Sequence, residues 1–306
     1  MKLKMYLARA IAYTRPARHW ITAKAVLAVF WLLRLMSPDR ALNLADNLGR
    51  RVGPWVGRHR VALTNLRNAY PDKNEAEINT IALDMWGNMA RMAAEYVFLD
   101  KLADINPDDQ SRARVEVDGI ELFNELQQVE KPRIFITAHT GCFEMIPLAA
   151  AAFGLDVASL FRAPNNPYIA RELSEARQVS QAQMVASRAG AAGILARILD
   201  RGGNIGVLVD QKFLNGIPTT FFGLPCKSSP LVPRLARTLE PDIYPVRCIR
   251  LPGNRYRLQL LDKIEPARNE KGVIDPPMLA QQLNDIVEGW VREYPGQWMW
   301  FHKRWA

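Results

Sequence analysis

The sequence predicts an α/β fold: a mixed, largely parallel central sheet flanked by helices, with an N-terminal membrane-associating helical region. Three observations carry this reading. From Val115 onward, short β-branched runs alternate with helical patterns; strands separated by helices need crossovers, which favour parallel pairing between two covered faces. From Arg40 to Leu99, apolar residues recur every three or four positions, the period of amphipathic helices. Positive charge is concentrated at the start. Through Tyr70 there are thirteen Lys/Arg against Asp39 and Asp46, a net of +11, whereas the other 236 residues hold 27 basic and 29 acidic residues, a net of −2. The chain therefore divides into a basic helical region over 1–100 and an α/β domain over 101–306 that finishes in a Trp-rich tail.

A basic surface calls for an anionic partner. In the N-terminal region the cations interleave with Trp20, Phe30, Trp31, Leu32, Leu33 and Trp55, which favours a membrane surface over nucleic acid. No zinc-finger spacing and no aromatic RNA-binding signature occurs. Pro16 is expected to break a helix near the end of residues 1–19. The stretch Trp20–Met36 is 17 residues long and carries Lys24 and Arg34 near its ends. A short span and a helix lying in the interface are both open for it. A cleaved signal peptide is not expected, because Arg34 closes the apolar run with no small-residue cleavage site before Pro38. The polar stretch Asp72–Glu77 begins a further helix that runs toward Phe98.

In the second region the strands expected are 115–117, 133–138, 157–161, 205–209, 243–249 and 256–261. The helices expected are 120–129, 143–153, 168–187, 191–200, 231–239 and 278–294. The three cysteines (142, 226, 248) are too few and too scattered for a disulfide framework or a metal knot, and Cys142 is expected to pack rather than react.

The chemistry is placed in Arg133–Glu144, RIFITAHTGCFE. A buried strand ends, His139 follows at the turn, and Glu144 comes about one helical turn on. A neutral imidazole can take a proton from a hydroxyl if a carboxylate fixes its tautomer and supports its charge. A helix starting near Gly141 would also aim free N–H groups at a developing oxyanion. Spacing alone also allows, and on its own favours, a satisfied histidine and an exposed glutamate. Arg162 and Asp210 each follow an expected strand as His139 does, and ligands in such sheets collect beyond the carboxyl ends of the strands. Arg162 opens a rigid polar loop through Asn165 and Asn166 to Pro167, suited to gripping a phosphate. Asp210 and Gln211 follow four apolar strand residues; Asp210 could orient a hydroxyl, hold Arg162 or cap the next element. Phe221–Pro225 reads as a stiff apolar turn, for a lipid channel or for packing. The final aromatics, Trp290, Trp298, Trp300 and Trp305, suit either a headgroup layer or docking into the core. His302 has no carboxylate near it in sequence and is not expected to be catalytic.

Taken together, HTGCFE, FRAPNNP, the Ser187-Arg188-x-Gly190 step, VLVDQ, FFGLP and PGQWMWFHKRW resemble the late acyltransferases of lipid A, the lauroyl/myristoyl branch of the lysophospholipid acyltransferase superfamily. The resemblance covers nearly the whole chain. The wider superfamily uses His-x4-Asp and this branch His-x4-Glu, which His139 and Glu144 provide. Cys142-Phe143 stands where Asn-Trp is usual, and Ser228–Pro233 replaces a Gly-Pro-Ala step. The resemblance implies transfer of a fatty acyl chain from an acyl carrier protein thioester to a hydroxyl of a lipid A precursor, at the cytoplasmic face of the inner membrane. It implies His139 as general base, Glu144 as its orienting carboxylate, and Arg162, Asn165, Asn166, Asp210 and Gln211 as substrate contacts. It implies no metal and no cofactor beyond the acyl-carrier co-substrate. Acylation of another glycolipid or phospholipid, or lipid binding without catalysis, are the competing readings.

Overall fold

The computed structural model describes residues 2–102, 105, 113–177 and 183–305, with side chains from residue 13 onward. The chain opens with five helices: α1 (Lys2–Arg34), α2 (Pro38–Val52), α3 (His59–Ala69), α4 (Glu75–Glu95) and the short α5 (Leu99–Leu102). Pro16 lies inside α1, which continues past it, contrary to the expected break. A proline removes one intrahelical bond but does not oblige a helix to end. The start of α4 is set locally: Asn74 accepts from the Glu77 N–H, and the Glu77 side chain accepts from the Asn74 N–H, a reciprocal cap.

Alternation follows: β1 (Val115–Asp118), α6 (Ile120–Gln128), β2 (Arg133–Thr137), α7 (Met145–Ala152), β3 (Val157–Phe161), α8 (Pro167–Arg177), β4 (Met184–Ala186), α9 (Ala191–Asp200), β5 (Asn204–Leu208), β6 (Ile217–Phe221), β7 (Leu224–Ser228), α10 (Leu231–Leu239), β8 (Asp242–Leu251), β9 (Arg255–Leu260) and α11 (Pro276–Glu293). Seven strands form one sheet in the order β1-β9-β8-β2-β5-β3-β4. The run β8-β2-β5-β3-β4 is parallel; β9 pairs antiparallel with β8, and β1 parallel with β9. The expected mixed, mostly parallel sheet is present, with all six expected strands.

Three strands go beyond that reading. The expected helix 168–187 stops at Arg177 in α8, and Met184–Ala186 forms the edge strand β4 beside β3; residues 178–182 lie outside the described residues. β6 and β7 form a separate antiparallel hairpin. Its turn residues, Phe222 and Gly223, have φ of 56° and 70°, the geometry of a type I′ connection. Phe222 is held there by edge contacts with Tyr70 and Trp300, so the FFGLP stretch is packing.

Two cores lie on the two faces of the sheet. On one, Ile134 and Ile136 of β2 pack with Ile205 and Val207 of β5, with α9 to α11, and with Leu66, Ile78 and Met85 of α3 and α4. On the other, Phe135 joins Val246, Tyr256 and Leu258, with α6, α7, Leu42 of α2 and Ala94 of α4. The N-terminal helices are therefore built into both cores. The tail docks as well: Trp298 and Trp300 are fully buried, which decides between the two readings of the aromatic tail.

No helix among the described residues is long and apolar enough to cross a membrane. What α1, α2 and the residues just after each present is a set of exposed apolar side chains, including Trp20, Trp31, Leu35, Leu44, Leu48 and Trp55, the last 85% exposed.

Candidate active site

Strand register builds the site. β2 and β5 are parallel neighbours with Thr137 opposite Leu208, and the pairing runs on through the Val209 N–H donating to the Thr137 carbonyl. His139 and Asp210 are each two residues beyond that pair, so the register delivers them side by side at the carboxyl edge of the sheet. The His139 N–H donates to Asp210 Oδ2 at 2.9 Å, and Nδ1 lies 2.7 Å from Oδ1. A carboxylate only accepts, so Nδ1 carries the proton and Nε2 presents its lone pair. The Gln211 amide sits 3.2 Å from that Nε2.

Asp210 is only 2% exposed, and its Oδ2 also accepts from Trp298 Nε1 at 2.8 Å. Burial opposes its charge, but the attraction and hydrogen bonds of His139 and the bond from Trp298 outweigh burial and hold its pKa down at about 2. Both Asp210 oxygens are thus engaged within the fold, by His139 and Trp298. The orienting place on Nδ1, which spacing offered to Glu144, is filled by Asp210. Glu144 is buried ahead of α7, and its Oε1 accepts from the Tyr96 hydroxyl.

The motif's backbone also departs from expectation. α7 begins at Met145 rather than near Gly141. Gly141, at φ +55°, turns the chain so closely against β8 that a Cβ there would lie 1.8 Å from the Cys248 carbonyl oxygen. Four of the N–H groups in this stretch are donated within the fold: Gly141 to Gln297 O, Cys142 to Cys248 O, Met145 to Cys142 O and Ile146 to Phe143 O. Cys142 packs as expected. It is fully buried, its thiol donates to Glu95, and burial pushes its pKa well up.

A cavity of about 1250 Å³ borders His139 and Glu144. Phe135 and Thr137 of β2 and His139 just beyond it, at alternate positions, share its wall, together with Phe123, Leu155, Val246 and Leu260. Cations stand on the same cavity: Arg162, Arg188, Lys212 and Arg234. Arg162 and Asn165 are exposed along it, after β3, and Gln211 lines it. Asn166, grouped with them in the sequence reading, does other work. Its Oδ1 accepts from Tyr168 N–H at 3.1 Å at the start of α8, and its Nδ2 donates to the His19 carbonyl of α1 at 2.8 Å. That commits its amide to holding α8 against α1.

Sequence reasoning did not place Trp298 against Asp210 or Tyr96 against Glu144. Trp298 is 88 residues from Asp210 and Tyr96 is 48 from Glu144, separations at which no local pattern signals contact.

A deep, largely apolar cavity with cations around it, at the carboxyl edge of an α/β sheet, suits an acyltransferase that handles a fatty chain beside an anionic group. The comparisons agree. Residues 10–306 match the family described as bacterial lipid A biosynthesis acyltransferase, and the chain belongs to that family. It is 24% identical over 271 residues to the lipid A biosynthesis myristoyltransferase of Escherichia coli K12, covering 84% of this chain and 80% of that one. It is equally 24% identical to lipid A biosynthesis acyltransferase 2 of Shigella flexneri (85% and 83% covered) and to the lipid A biosynthesis acyltransferase of Haemophilus influenzae (90% and 85%).

Proposed function

We propose that this acyltransferase moves a fatty acyl chain from an acyl carrier protein thioester to a hydroxyl of a lipid A precursor. The observation that carries the reading is the His139–Asp210 pair facing the apolar cavity. Asp210 fixes His139 with Nε2 free of its own proton, and that nitrogen removes the proton from the acceptor hydroxyl. The oxygen then attacks the thioester carbonyl. The C–O bond forms, the C–S bond breaks, and the imidazolium returns its proton to the departing thiolate. Gln211, 3.2 Å from Nε2 in the substrate-free site, yields its place to the hydroxyl. Glu144, set by Tyr96 beside the same cavity, completes the His-x4-Glu pair and favours the imidazolium through its charge. Arg162 and Asn165 take a phosphate of the acceptor. The thioester is already activated, so the reading calls on no metal and no further cofactor.

The protein works at the cytoplasmic face of the inner membrane, where carrier protein and acceptor meet. Exposed Trp20, Trp31 and Leu35 among the cations of α1 support attachment in the interface. The expected result is binding to vesicles containing anionic lipid that falls several-fold between low salt and about 0.5 M, as screening shortens the reach of the cations. Cosedimentation checks it; binding equal on neutral vesicles and indifferent to salt would contradict it.

The chemistry is tested with purified protein, a radiolabelled acyl carrier protein thioester and a lipid A precursor. Wild type is expected to form the ester, and His139→Ala to lose the rate by about 10³-fold or more while keeping its melting temperature. A folded His139→Ala protein with near wild-type transfer would remove His139 from the role.

A further inference from the structure

A tetrahedral intermediate needs donors for its oxyanion, and the Gly141, Cys142, Met145 and Ile146 N–H groups of the turn are already donated within the fold. A side chain on the same cavity is placed for the task. His302 lines it, and its Nε2 accepts the Lys212 backbone N–H at 3.1 Å. An Nε2 that accepts carries no proton, so the proton of the neutral ring is on Nδ1. No acceptor for Nδ1 occurs among the described residues. Burial, joined by the repulsion of His139, outweighs the attraction of Asp210 and lowers the His302 pKa, which keeps the ring neutral.

The backbone around the ring is fixed. The His302 carbonyl accepts from Asn65 Nδ2 of α3 at 2.7 Å and from the Arg304 N–H at 2.9 Å. One loop brackets both histidines in three consecutive residues. Asp210 holds His139 Nδ1, Gln211 meets His139 Nε2, and Lys212 holds His302 Nε2.

Building on the acyl-transfer reading, we propose that His302 is a second catalytic histidine: a neutral, tautomer-locked donor whose Nδ1–H binds the thioester carbonyl oxygen and stabilises the oxyanion as His139 removes the hydroxyl proton. A neutral imidazole suits this place because it donates without giving up its proton, and its charge state does not compete with the base beside it. Both rings hold the same tautomer, but the nitrogen that the protein engages differs: Nδ1 of His139 by Asp210, Nε2 of His302 by Lys212 N–H. One ring is left with a lone pair to accept, the other with a proton to donate.

Two substitutions separate this from a structural role. His302→Asn keeps an amide donor near the position of Nδ1 and loses the acceptor for Lys212. His302→Gln carries its amide out to the position of Nε2, where its oxygen can accept from Lys212, and leaves nothing at Nδ1. With the acyl carrier protein thioester and lipid A precursor, kcat of His302→Gln is expected to fall about 10²-fold with KM little changed, the loss typical of one missing oxyanion donor, whereas His302→Asn stays within about tenfold of wild type. Gln as active as wild type with Asn impaired assigns His302 to holding the loop and overturns the proposal. Nitrogen-15 NMR of the full chain reads the tautomer independently of activity. The proposal requires a protonated Nδ1 and a pyridine-like Nε2 at pH 7, and the reverse overturns it whatever the kinetics. A wild type that forms no ester overturns the acyl-transfer reading and this proposal together; a transferring wild type with His302→Gln unimpaired overturns this proposal alone.

Discussion

Asp210→Asn is expected to leave a folded protein whose kcat for acyl transfer is lower by about 10³–10⁴-fold, with KM little changed. The reason is tautomeric. Asp210 is buried against His139 and Trp298, and its two oxygens receive His139 Nδ1–H, the His139 N–H and Trp298 Nε1. An amide retains one acceptor oxygen, which the backbone and indole bonds claim, and turns an NH₂ toward Nδ1. His139 then moves its proton to Nε2 and has no lone pair for the hydroxyl. Steady-state kinetics beside a melting curve check this; a variant within tenfold of wild type would mean that Asp210 does not orient the base. The same substitution has a pH signature. His139 and Trp298 hold the folded Asp210 carboxyl down at about 2, below the ordinary Asp value of about 3.9. Its lowered pKa thus contributes stability fully above about pH 4, and that contribution, of about 2 kcal/mol, is lost as pH falls toward 2. Acid unfolding of Asp210→Asn should lack that component.

The largest effect on stability is expected at Glu95. This carboxylate, 1% exposed at the end of α4, pairs with Arg250 through Nη2 at 2.6 Å and Nε at 2.9 Å, and accepts from Tyr256 OH and Cys142 Sγ. Burial works against its charge, yet the charge and hydrogen bonds of Arg250 prevail and lower its pKa. The pair joins α4 to β8 and β9. It also steadies the catalytic turn, because Gln297 bonds the Arg250 backbone in both directions and accepts the Gly141 N–H. Glu95→Ala leaves Arg250 charged and buried, at an expected cost of about 3–5 kcal/mol. Adding Arg250→Met should recover a large part of it, since an apolar pair has no unmet charge. Denaturant titration measures both; a single variant within 1 kcal/mol of wild type would show that the pair contributes little.

The architecture was legible where local pattern and global packing agree. The β-branched runs expected at 133–138 and 205–209 form the parallel strands β2 and β5, with His139 and Asp210 just beyond their ends. What local pattern could not carry was pairing across the sheet. Glu144 is the nearest carboxylate to His139 in sequence, but β2 and β5 are neighbours in register, so Asp210, 71 residues away, holds the ring. Spacing likewise offered Asn165 and Asn166 as a pair, but α1 returns against α8 and takes the second. The edge strand β4 was hidden because Met184–Ala186 is only three residues long and borrows its partner from β3. His302 was set aside for want of a nearby carboxylate. Its partner is a backbone N–H, which leaves no trace in sequence.

The central claim is that this cavity, with His139 held by Asp210, acylates a lipid A precursor. Mass spectrometry of lipid A from cells with the protein, without it, and with His139→Ala in its place tests it most directly. The expected result is one secondary acyl chain present with wild type and absent from the other two, with its mass giving the chain length. Lipid A unchanged across all three, with the protein expressed, would contradict the claim and move the acceptor to another glycolipid or phospholipid.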